Sequence, residues 1–144
     1  TNNNTQVITS IKSPLESRPF SSMRINPTGE IFEFIVGSGR VFYDTRSMKM
    51  HVYPEIMGGD WIGYTWGYYR SVSYGNVDET EHLHTLDFTD PNNLIEEDYL
   101  LKDSNWWFRW IDQDHIMSMT DDPQIITIKT NERRKLLNGF CPLN

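Results

Sequence analysis

The sequence predicts a mainly β fold, an antiparallel up-and-down barrel or sandwich of about eight strands with one or two short helices. Three observations predict it. Aromatic residues make up 13% of the 144 positions, and aromatic side chains favour the pleated, half-buried surface of a strand. The chain contains no alanine, the best helix former. Short runs with a period of two recur between turn signals without long crossovers, which favours hairpins over parallel pairing.

The elements follow in order. Residues 1–27 read as a loose N-terminal arm, rich in Asn, Ser and Thr and interrupted by Pro14, Pro19 and Pro27, with at most a short strand over 7–11. Residues 28–144 read as a single β-rich domain. Residues 29–36 and 40–46 read as two strands around the turn Gly37-Ser38-Gly39. Residues 48–53 alternate Met48, Met50 and Val52 with Lys49, His51 and Tyr53, the pattern of a half-buried strand. Residues 61–74 read as one long strand. Its one parity is aromatic (Tyr64, Trp66, Tyr68) and its other is small (Gly63, Thr65, Gly67). The glycines on the small face point to a bend, a bulge, or close approach by a ligand or another backbone.

Residues 81–88 read as a further strand, followed by the loop Asp90-Pro91-Asn92-Asn93. Residues 94–101 fit either a short helix or an edge strand. Residues 106–111 and 115–120 form a hairpin around Asp112-Gln113-Asp114, and 124–130 is a strand carrying three isoleucines. Residues 131–137 read as a short helix that Thr130 or Asn131 caps and Gly139 ends.

Composition bounds the function. The length suits one domain with a core of its own. The single cysteine, Cys141, rules out an internal disulfide and cysteine-rich zinc modules. A reducing, cytoplasmic setting is slightly favoured over a periplasmic one. The chain starts at Thr1, which leaves a removed leader open, and Asn3-Asn4-Thr5 matches a glycosylation sequon. No apolar run is long enough for a membrane span, so no membrane partner is expected.

The net charge is −7, and its distribution is more informative than its sum. Between Asp78 and Asp122 lie thirteen acids and two bases, Lys102 and Arg109. An acidic half argues against nucleic acid as a partner, because phosphates need a basic face. A basic protein is the natural complement.

Three constellations are candidates for chemistry. His82 and His84 fall on one face of a strand, the arrangement by which His-x-His pairs hold a divalent metal, with His51, His115 or Asp87 as a third ligand. No other cofactor is indicated. Acids at Glu96, Glu97, Asp98 and Asp103 lie near Trp106, Trp107 and Arg109, and Trp and Arg are enriched at binding hot spots. The aromatic residues offer either a core or the lining of an apolar cavity. A nucleophile is not supported: Gly-x-Ser-x-Gly is absent.

The expectation that follows is a non-enzymatic domain that captures and neutralises a basic protein partner. In composition and size it resembles bacterial immunity proteins, which neutralise toxins. A nuclease toxin is such a partner. The binding residues would be Glu96, Glu97, Asp98, Asp103, Trp106, Trp107 and Arg109. The alternatives are a lipocalin-like barrel for a small apolar ligand and a metal-dependent enzyme built on His82 and His84. The triplet Gly59-Asp60-Trp61 matches the lipocalin pattern but lies mid-chain. The sequence leaves the oligomeric state open.

Overall fold

The structure is a computed structural model that describes residues 20–54, 56, 58–72, 80–101, 108–118 and 122–136. Among these residues twelve strands form three four-stranded antiparallel sheets, each a meander in chain order. The first sheet holds β1 (Ser22–Ile25), β2 (Ile31–Val36), β3 (Gly39–Asp44) and β4 (Lys49–Tyr53). The second holds β5 (Asp60–Ile62), β6 (Thr65–Val72), β7 (Thr80–Asp87) and β8 (Ile95–Leu101). The third holds β9 (Phe108–Trp110), β10 (His115–Ser118), β11 (Gln124–Thr127) and β12 (Arg133–Lys135).

The sheets stack face to face with the second in the middle. Leu83 and Leu86 are three positions apart on β7, so they point to opposite faces. Leu86 joins Trp66, Tyr68 and Phe88 against Ile31 and Phe42 of the first sheet. Leu83 joins Leu101 against Phe108, Ile116, Ile126 and Ile128 of the third. The middle sheet therefore has apolar side chains on both faces, which is what three packed layers require.

The mainly β, antiparallel expectation holds, and two parts of it need correction. The sheets do not close into a barrel: their strand orders leave open edges. Neither helix forms among the described residues. Residues 95–101 are the edge strand β8, laddered to β7 from Glu81↔Leu101 to Asp87↔Ile95. The stretch expected to cap a C-terminal helix is a turn, with Asn131 at φ 57, and β12 pairs back onto β11. Backbone pairing to a neighbouring strand outweighed local helix propensity in both places. Cys141 lies outside the described residues.

Two glycines explain a third difference. The expected long strand is a hairpin: Gly63, at φ 54, lies in the two-residue link between the paired Ile62 and Thr65. Gly67 allows close approach, since a Cβ there would lie 2.6 Å from the Trp110 ring. The approaching group is a side chain of the third sheet. In the first sheet, β4 turns His51 and Tyr53 inward and leaves Met50 and Val52 exposed. The inner face is rich in charge and aromatics. Glu33, 0% exposed, accepts from Arg24 at 2.7 Å and from the Trp61 indole at 2.9 Å, and lies 3.2 Å from Arg40 Nε. Burial holds the Arg40 guanidinium below its ordinary value, against the attraction of Glu33.

Candidate functional site

The site is assembled on β7 and β8. Antiparallel pairing places His84 opposite Asp98, and Glu96 opposite Leu86, on the face toward the first sheet. His82 shares that face two residues away. The histidines and acids, which the sequence offers as two separate sites, therefore meet. His82 Nδ1 lies 2.9 Å from Asp98 Oδ2, and His84 Nε2 lies 3.3 Å from Glu96 Oε2. Tyr53 of the first sheet donates to Glu96 Oε1 at 2.6 Å. Burial, then this bond to Glu96, pushes the Tyr53 hydroxyl far above its ordinary value. Tyr68 packs on the His84 ring at 5.2 Å.

Glu97 points the other way. Its row is Gly67, Thr85, Glu97, facing the third sheet. The Tyr99 hydroxyl donates to Glu97 Oε2, and burial together with that bond pushes Tyr99 up to about 12. Residues 95 to 98 are exposed without interruption, and β8 is the edge of its sheet. Both faces of this stretch meet solvent.

Behind Glu97 a cleft of about 320 Å3 opens between the second and third sheets. Thr65, Thr85 and Asp87 form one wall and Trp110, Ile128 and Lys129 the other. Trp110 is fixed by its indole N–H, which donates to the Asp60 carbonyl at 3.1 Å. A second cleft, about 630 Å3, lies on the outward side of the third sheet, where His115 Nδ1 is held at 2.8 Å by Asp112.

Of the expected binding residues, Glu96, Glu97 and Asp98 come together on one strand. Arg109 lies apart on β9, pairing with Asp60 at 3.1 Å. Asp103, Trp106 and Trp107 lie outside the described residues. Of the proposed third metal ligands, His51 stacks edge-on with Phe88 at 5.6 Å and burial lowers its pKa. His115 is on the third sheet. Among the described residues no group of three or more His, Cys, Asp or Glu side chains is placed to hold a metal ion.

Sequence reasoning missed Tyr53 and the cleft, because both depend on which sheets stack. The small parity around Gly67 was the one local signal. No family model matches this chain, and neither the curated proteins nor the solved structures searched contain a match.

Proposed function

We propose that this chain is a non-enzymatic binding domain that captures a basic protein partner along β8. The observation that carries this reading is an exposed edge strand whose side chains are acidic on both faces, Glu96 and Asp98 on one and Glu97 on the other. An edge strand offers unpaired backbone groups to an added strand. Acids along it repel a second copy of the same strand and attract a basic one. Neutralising a toxic basic protein, such as a nuclease, is a task suited to such a surface.

The test uses an extended ten-residue peptide alternating Lys and Thr, with a Glu/Thr peptide as control. The basic peptide should bind in a salt-dependent way and slow hydrogen exchange at the β8 amides. Each of Glu96→Lys, Glu97→Lys and Asp98→Lys should weaken binding by about two- to fivefold at low salt, from rim-type charge effects of 0.5–1 kcal/mol. Unchanged exchange at β8, or equal binding by the charge-reversed chains, would overturn the reading.

A further inference from the structure

We propose that two copies of this chain join through the outward faces of their first and third sheets and close a ring of six four-stranded sheets, a propeller. This association leaves β8 free and does not depend on its acids.

The three sheets are stacked in a way that calls for a ring. Each is a meander, so its chain starts at one edge and ends at the other. The starting strands gather together. Arg24 of β1 donates to the carbonyl of Gly59, just before β5, at 3.4 Å. Arg109 and Trp110 of β9 both reach Asp60, the first residue of β5, at 3.1 Å. Among the described residues, β5 and β9 are the two strands of different sheets whose backbones come closest. Toward β8 the second and third sheets part around the cleft of about 320 Å3. Sheets that touch at their first strands and spread toward their last are set like blades around an axis.

The outward face of the first sheet is built to be covered. Its register aligns two complete rows across all four strands, Met23–Phe34–Val41–Val52 and Ile25–Phe32–Tyr43–Met50. None of the eight is charged, and none belongs to either core between the sheets. Met23, Ile25, Met50 and Val52 are 39% to 53% exposed. An apolar face this continuous marks an interface.

Count and chemistry select the occupant. Rings of four-stranded sheets close with about four to eight members. One copy supplies three sheets, two copies supply six, and a third copy would exceed the range. The outward face of the third sheet complements that of the first. It carries the row Arg109–Met117–Ile125–Arg134, the exposed Ile111, and the hollow of about 630 Å3 that Ile111, Ile125 and Arg134 help to line. Met23, Met48 and Met50 are flexible enough to fill that hollow, and Phe32, Phe34 and Tyr43 offer ring faces to the Arg134 guanidinium. Joining the first sheet of each copy to the third sheet of the other uses one contact twice and covers both outward faces. β8, the last strand of its sheet, stays at the rim.

Sedimentation equilibrium of the full chain, over a range of concentrations, tests the ring. A dimer that grows no larger is expected. Val52→Lys on the first sheet and Ile111→Lys on the third should each raise the dissociation constant by about a hundredfold or more, because each places an unpaired charge in both contacts. Both residues are exposed in the single chain, so the variants should keep the circular dichroism of the folded protein. A single-chain mass at every concentration would overturn the ring. So would a mass that keeps growing with concentration, since the contact would then repeat without closing. A dimer broken by Val52→Lys but indifferent to Ile111→Lys would also overturn it, because two first sheets would then be meeting each other.

Discussion

Replacing Glu33 with Gln should cost more stability than any surface change in this chain. Glu33 has no exposed surface and is the carboxylate shared by Arg24 and Arg40. The two arginines differ in their access to water. The Arg24 side chain is 40% exposed and can hydrate if its partner goes, whereas Arg40 is 8% exposed. Glutamine can still accept from the Trp61 indole, but it turns an amide toward a buried guanidinium that has lost its countercharge. Removing one member of a buried pair costs about 3–5 kcal/mol, and here the cost falls on Arg40. Urea denaturation followed by tryptophan fluorescence measures it, and a melting point lower by roughly 10 °C should accompany it. The double variant Glu33→Gln with Arg40→Met should recover most of the loss, because no unpaired charge is left. A single-variant cost under about 1 kcal/mol, or no recovery in the double variant, would refute the assignment of this cluster as a buried charge network.

Two further outcomes test the stack and its pH response. Gly67→Ala should destabilise the chain by about 1–3 kcal/mol through overpacking, since the new Cβ would meet the tethered Trp110 ring at 2.6 Å; a neutral effect in urea denaturation would show that the third sheet does not lie against β6. Asp44 is pulled upward by burial, but the bonds from Arg46 outweigh this and leave its pKa below the ordinary value. A depressed folded pKa contributes stability that is present above the unfolded value and is lost as pH falls through the folded one. Stability should therefore decline below about pH 4, and Asp44→Asn should lower stability at neutral pH while flattening that decline, as read from urea midpoints between neutral pH and pH 3.

The legible part of this fold was the part written in nearest neighbours. The hairpin at Gly37-Ser38-Gly39, the strand of His82 and His84, and the turn at Asp112 all follow from period and turn chemistry. What was not legible depends on contacts between sheets. Met50 and Val52 look like the buried parity of β4, yet His51 and Tyr53 point inward, because Phe88 and Glu96 await them there. Residues 95–101 lack a clear period because β8 is exposed along 95–98, so no buried face imposes alternation. The cleft at Thr85 could not be read locally either. Its walls come from segments that only the stacking brings together.

The meeting of histidines and acids changes which charge a partner would feel first. Glu96 has Tyr53 and His84 beside it, and Asp98 has His82 and His84 within 2.9 and 3.7 Å. Any cation approaching them competes with groups already in place. Among the described residues, Glu97 has only the neutral Tyr99 hydroxyl. The three acids are adjacent in sequence, but the strand period assigns them unequal surroundings. Charge reversal should therefore slow association with the Lys/Thr peptide most at Glu97, with Glu96 and Asp98 each weaker, in stopped-flow measurements at low salt. Equal effects at all three would mean that the partner senses only the summed field of the strand. A larger effect at Glu96 or Asp98 would move the binding face to the side of the first sheet, away from the cleft.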